Sequence, residues 1–345
     1  MSARRSLRNA LLAASVSTLF ALAVAELFCR YRFGAPLAER LPLLEIRGNR
    51  ARGYEMVPDR DHFTYLEAVH VNHLGLRGPD LPAKTPEEFR IFCLGDSTTF
   101  GQGVSEEETI PALLQADLAD ARKAAGRQVR AVNGGLRGYA TLHELALLEE
   151  LGPAIRPDLV VLLWYTNDLE RPDPVKTSME LERSGPVALD TRSRMDGWDV
   201  WQWRGRQVLR GSALLMKLHD VFMTMPAAPL DDDSIRTGLA FFDQDLDAFL
   251  ALGKKLGFAF VIAPIPHRSA LRGASPFDLL VQRIGEHARA HGIEVVDLLP
   301  SLRAEFGKEP ERAILPYDGH YTGAANRAMA RSLAKALAPR VGGAR

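Results

Sequence analysis

Short apolar runs separated by longer segments of helical spacing set the pattern of this chain. Runs at 91–94, 129–132, 159–164, 259–263 and 294–296 have the length of buried strands. Between them, apolar residues recur at helical intervals. Thr109 reads as a helix cap, with Pro111 in the first turn and Leu113, Leu114, Leu118 and Ala121 on one face, and Gly126 as the stop. Further helices are expected over 141–151, 234–256, 276–291 and 323–337. Short central strands alternating with helices predict an α/β domain with a mostly five-stranded parallel sheet covered on both faces. Ligands in such sheets bind beyond the carboxyl ends of the strands. Ser97, Asn133, Asn167 and His267 all fall at or just after those ends.

Two regions break the alternation. Residues 30–88 form a long approach to the first strand, rich in Arg, Pro and Gly. Residues 170–233 are an insertion holding Trp198, Trp201 and Trp203, three of the four tryptophans, with a helical segment expected over 208–223. The insertion is expected to be a lid whose aromatics pack onto the main domain. The functional alternative is an aromatic platform for sugar rings or a membrane surface.

The N-terminus carries a targeting pattern. Arg4, Arg5 and Arg8 precede an apolar run over 10–29, close to the roughly 20 residues that span a bilayer. Glu26 stands near its far end, where a charge can snorkel to the interface. Ala23-Val24-Ala25 resembles a signal-peptidase site, but an uncleaved anchor is the favoured reading. The chain therefore divides into an anchor or signal (1–32), an extended approach (33–88) and an α/β domain (89–340) with its insertion at about 170–233. The body is expected outside the cytoplasm.

Composition narrows the partners. An apolar share of 46% in 345 residues supports a sizeable core, and 43 basic against 43 acidic residues give no electrostatic reason for a nucleic-acid partner. The two cysteines, Cys29 and Cys93, suggest neither a disulfide framework nor a metal site.

The chemistry centres on IFCLGDSTTFGQG, 91–103. A buried strand ends at Gly95 and delivers Ser97 to the sheet edge. A serine hydroxyl needs a base and oxyanion donors to act as a nucleophile. His320 lies in YDGHYTGAAN with Asp318 two residues upstream, a spacing that lets a carboxylate orient the imidazole. NGGLRGY, 133–139, offers backbone N–H groups, and YTND, 165–168, offers the amide of Asn167. No G-x-S-x-G elbow or HExxH helix is present, and GDSTTFGQG lacks the GK[ST] ending and the G-x-G-x-x-G spacing of nucleotide sites.

Together these fragments resemble the SGNH, or GDSL-type, hydrolase superfamily. Its four blocks match Gly95 to Ser97, Asn133 to Gly138, Asn167 with Asp168, and Asp318 to His320. VNHLGLRGPD, 71–80, is similar to the segment preceding GDS in membrane-anchored bacterial members. The resemblance implies a three-layer flavodoxin-like fold. It implies Ser97 as nucleophile, His320 as general base and Asp318 as its orienter, with no cofactor and no metal. The oxyanion hole it implies is the N–H of Ser97, the N–H of Gly135 and the amide of Asn167. Two departures stand out. Tyr165 replaces the glycine of G-x-N-D, and the last block reads D-x-H where the family reads D-x-x-H, a shorter spacing similar to that of polysaccharide O-acetyltransferase relatives. The implied function is a serine esterase or O-acyltransferase on a glycan, lipid or small-molecule ester. The alternative is a catalytically silent glycan-binding module on the same fold, favoured if Ser97 and His320 stand beyond hydrogen-bond distance.

Overall fold

The computed structural model describes residues 2–123, 128–223, 232–273 and 275–342. The expected helix stop at Gly126 lies outside the described residues. Backbone contacts divide the chain into two units. One comprises Met1–Ala38, Gly197–Ala228 and Pro316–Asp318; the other holds Glu39–Asp196, Pro229–Leu315 and Gly319–Arg345.

From the N-terminus the chain runs through helix α1 (Ser2–Phe33) and strands β1 (Glu45–Asn49), β2 (Gly53–Met56), β3 (Arg60–Thr64) and β4 (Glu67–Val71). Then come β5 (Glu88–Gly95), α2 (Ser97–Phe100), α3 (Ile110–Lys123), β6 (Gln128–Gly135), α4 (Thr141–Ile155) and β7 (Leu159–Leu163). The insertion holds α5 (Pro174–Ser184), β8 (Val187–Ala188), α6 (Gly197–Arg210) and α7 (Ala213–Met223). The chain closes with α8 (Asp232–Leu256), β9 (Ala259–Ile262), α9 (Pro276–Ala290), β10 (Glu294–Val295), α10 (Leu299–Phe306) and α11 (Gly323–Gly342).

The larger unit is built on a five-stranded sheet of order β10-β9-β7-β5-β6, with every pairing parallel. Its side chains alternate between two cores, as a period of two residues requires. Ile91, Cys93, Leu159 and Val161 face Leu114 and Leu118 of α3 and Leu333 and Leu337 of α11. Phe92, Leu94, Val160 and Leu162 face Leu147 and Leu148 of α4, Phe242 and Phe249 of α8 and Ile284 of α9. Both sheet faces are thus covered, giving three layers. The strand order reverses between β5 and β7, the switch point at whose carboxyl ends ligands bind in open α/β sheets.

The approach segment is more structured than an extended strand. β1 pairs antiparallel with β2 and with β8 of the insertion, and β3 pairs with β4 in a hairpin.

In the smaller unit, α7 packs on α1 and α6 packs on α7. The expected single helix over 208–223 is broken between α6 and α7 at Gly211 and Ser212. Glu26 explains the break. Its carboxylate accepts Ser212 Oγ at 2.8 Å, Ala213 N at 3.0 Å and Leu214 N at 2.9 Å. These are the orphan donors that open α7, so Glu26 caps a helix and does not simply snorkel. The aromatics depart from expectation too. Trp203 is buried, whereas Trp198 and Trp201 are 70% and 69% exposed, with their rings stacked at 6.5 Å.

Candidate active site

Strand β5 ends at Gly95, where any side chain would collide: a Cβ there would lie 2.0 Å from Thr99 Oγ1 and 3.0 Å from Leu163 O. Glycine lets the chain turn directly into α2. Asp96 caps that helix, its Oδ1 accepting Thr98 N at 2.8 Å. Gly101 ends it in the left-handed region at φ 87°. Ser97 therefore occupies the first turn of a four-residue helix, half-buried at the crevice.

Arg77, from the approach segment, fixes the far end of this turn. Its guanidinium donates to Phe100 O (3.0 Å), Gly101 O (2.7 Å), Val104 O (2.8 Å) and Glu106 Oε2 (2.9 Å). The side chain is wholly buried. Nothing in VNHLGLRGPD announces this role for Arg77.

His320 approaches from the loop before α11. Leu315 N donates to His320 O at 2.8 Å, Ile314 bridges Tyr321, and the Tyr321 hydroxyl donates to Pro266 O at 2.5 Å. This holds the imidazole with Nε2 2.8 Å from Ser97 Oγ. Ser97 Oγ also stands 3.4 Å from Asp96 Oδ2. Burial pushes the Asp96 carboxyl up, against the opposing pull of the Thr98 N–H and of His320. Asp318 lies in the turn 316–318, half-buried, two residues before His320 in the chain. His267 acts as a structural loop residue: its Nδ1 pairs with Ser269 Oγ at 2.6 Å, and its ring packs on Phe277 at 4.0 Å.

Asn167 sits in a 3-10 turn, Thr166–Leu169, directly after β7. One amide N–H goes to Tyr139 O at 2.8 Å, which leaves the second for a ligand. The turn is closed by Asp168, whose Oδ2 accepts Tyr165 N at 2.7 Å. Beneath it lies an unusual pair of carboxyls. Asp168 Oδ1 and both Glu144 oxygens are buried with no hydrogen-bond partner. Burial pushes both carboxyls well above the usual range. Charge on Asp96 and Asp245 adds to it for Glu144, and charge on Glu144 and Asp96 adds to it for Asp168. Asp168 accepts the Tyr165 N–H on its other oxygen, whereas neither Glu144 oxygen has a partner among the described residues.

Gly135 requires a correction. Leu136 N donates across the sheet to Gly95 O at 3.2 Å. By the alternation of a strand, the Gly135 N–H then points to the open edge, where Asn133 Oδ1 takes it at 3.0 Å. Gly135 is buried under α2, and a Cβ there would lie 2.1 Å from Phe100 N. Its glycine is required for close packing, and its N–H is not presented to a substrate. Gly138, the last glycine of the same N-x-G-x-x-G pattern, is exposed at φ 77° in the loop after β6. Its neighbour Tyr139 is the residue that receives the Asn167 amide.

A family model described as the GDSL-like lipase/acylhydrolase family matches residues 93–328. Solved structures give similar folds. A putative lipolytic protein of the G-D-S-L family from Desulfitobacterium hafniense DCB-2 is 14% identical, covering 72% of this chain and 99% of its own, at a TM-score of 0.42. A lipase/acylhydrolase from Enterococcus faecalis is 17% identical, covering 73% and 96%, at 0.42. An acetyl xylan esterase is 16% identical, covering 72% and 100%, at 0.43. Among curated proteins the sequence finds no match.

Proposed function

The chain belongs to the GDSL-like lipase/acylhydrolase family, and from that premise we propose a serine esterase or O-acyltransferase that works through an acyl-enzyme on Ser97. The observation that carries the reading is the 2.8 Å approach of His320 Nε2 to Ser97 Oγ. His320 takes the hydroxyl proton as Ser97 attacks an ester carbonyl. The oxyanion forms against the Ser97 N–H, which has no intrahelical partner at the start of α2, and against the free N–H of Asn167. The third donor we assign to Gly138 in place of Gly135. His320 then protonates the leaving alcohol, and water or a sugar hydroxyl removes the acyl group. Asp318 is assigned as the orienter of His320, on its place two residues upstream and on the family resemblance.

The silent glycan-binding alternative required Ser97 and His320 to be out of reach, so the short contact weighs against it. For location, we read α1 as an uncleaved anchor with the catalytic unit outside the cytoplasm. An apolar helix of 29 residues, Arg5–Phe33, supports the anchor; Arg4, Arg5 and Arg8 favour a cytoplasmic N-terminus only weakly, because Arg30 and Arg32 stand at the other end. An outward-facing enzyme of this class suits an ester of a glycan or lipid.

The test is turnover of p-nitrophenyl acetate by the full chain in detergent beside Ser97→Ala and His320→Ala. Loss in both variants is expected. Activity that survives Ser97→Ala would overturn the acyl-enzyme reading. Adding sugar acceptors and following acylated sugar separates transfer from hydrolysis.

A further inference from the structure

Helix α6 presents an apolar face to the outside. Trp198, Trp201, Val208 and Leu209 are 70%, 69%, 77% and 61% exposed. At 3.6 residues per turn these four share one arc of the helix, with Gly205 among them, and the buried Trp203 falls on the other side. Arg204 and Arg206, both exposed, flank the arc on its two edges. Leu218 and Val221 of α7 are exposed as well.

The same unit ties the end of this helix to α1. Arg30 Nη2 donates to Gly211 O at 2.5 Å, and Glu26 caps α7 through Ser212, Ala213 and Leu214. The corner between α6 and α7 is thus fastened to one level of α1. Between Arg8 and Glu26 stand 17 uncharged residues, about 26 Å of helix and close to one hydrocarbon core. The fastening therefore falls at the membrane boundary. Tryptophan favours that level, and flanking arginines there reach phosphate headgroups.

We propose that α6 is an interfacial helix. It lies on the bilayer that α1 spans, with Trp198, Trp201, Val208 and Leu209 toward the acyl chains and Arg204 and Arg206 toward the headgroups. The proposal rests on the anchor reading of α1. It makes the membrane attachment a two-point one, a span and a surface helix locked together by Glu26.

The test reconstitutes the full chain into phosphatidylcholine/phosphatidylglycerol vesicles whose acyl chains are brominated close to the headgroup. Bromine is expected to quench up to roughly half of the tryptophan emission, the share of two in four. The quenching is expected to vanish in Trp198→Ser/Trp201→Ser, which leaves Trp164 and Trp203. Alkaline extraction of the same vesicles reports on α1 separately. A chain that resists extraction but shows no quenching overturns the interfacial helix and leaves the anchor standing. A chain that washes off overturns the anchor and this proposal with it. Quenching that persists in the double variant, or emission that answers soluble oligosaccharides and ignores bromine, overturns the proposal, the latter in favour of a sugar platform.

Discussion

His320 Nε2 lies 2.8 Å from Ser97 Oγ although 223 positions separate the two residues. The distance is set by two independent devices, the α2 turn held by Asp96 and Gly101 and the Ile314–Tyr321 bridge beside His320. Residues that act as one unit give non-additive losses. Ser97→Ala and His320→Ala should each lower kcat on an activated ester by at least roughly 10³-fold. The double variant should fall no further than the worse single one. Multiplying losses would mean the two side chains work separately.

Asn167 commits one amide N–H to Tyr139 O at 2.8 Å, and the proposed mechanism assigns the other to the oxyanion. Removing a single such donor costs about 10²–10³ in kcat. Asn167→Ala is expected to show that loss with a much smaller change in KM, because the contact strengthens only as charge develops. A change confined to KM would make Asn167 a ground-state binding residue instead.

Arg77 stands behind the nucleophile turn, with donors on Phe100 O, Gly101 O and Val104 O. Arg77→Met removes four hydrogen bonds. Phe100 O keeps Asn133 Nδ2 and Gly101 O keeps Val104 N, both at 3.3 Å, while Val104 O loses its Arg77 donor, and a buried acceptor left without its partner costs about 1–3 kcal/mol. The urea midpoint of the larger unit should drop, and esterase activity should fall with it. Arg77→Lys should rescue only part, since one ammonium cannot serve carbonyls that a planar fork reaches together. An unchanged midpoint in Arg77→Met would show that the turn supports itself.

Much of this was legible in the sequence. The central strands β5, β7 and β9 were readable from their continuous apolar runs, and the Ser97–His320 pair because each residue follows an element end with distinctive neighbours. The misreadings have physical causes. Asn133-Gly134-Gly135 looks like a loop by composition, yet β6 runs to Gly135 because the parallel ladder with β5 continues through Cys93–Asn133, Leu94–Gly134 and Gly95–Gly135 despite the weak strand preference of glycine. Arg77 reads as a surface charge, since nothing local announces that three carbonyls converge on it. Trp198 and Trp201 read as core by hydrophobicity, and only their shared helical face separates them from Trp203. Glu26 looked like a misfit in an apolar run because, beside Arg30 one turn on, the backbone donors it caps lie more than 180 positions away.

Glu144 gives a pH signature. Its folded-state carboxyl is raised well above the usual range by burial and by neighbouring carboxylates. A raised group contributes fully below its unfolded value, roughly 4.3 for glutamate. Above that pH the unfolded chain releases the proton and the folded chain keeps it, so stability is lost as pH rises toward the folded value. Glu144→Gln keeps the shape of the neutral acid and cannot ionise. Its melting temperature should exceed that of the wild type, with the gap widening as pH rises above the unfolded value of roughly 4.3. Parallel melting curves against pH would show that Glu144 is not the group holding the proton.

Gly135 separates a packing role from a donor role. Alanine keeps the backbone N–H, so a glycine serving only as an oxyanion donor would tolerate the change with little loss of stability. Here the added Cβ would stand 2.1 Å from Phe100 N and 2.6 Å from Thr99 C, both main-chain atoms of α2 that cannot swing aside. Overpacking of this kind costs about 1–3 kcal/mol, and relieving it must move the helix that carries Ser97. Gly135→Ala is therefore expected to lower the denaturation midpoint and also to reduce kcat, because Ser97 shifts from its 2.8 Å contact with His320. Unchanged stability and unchanged kcat would show that the α2 turn accommodates the Cβ and that close packing does not require glycine at 135.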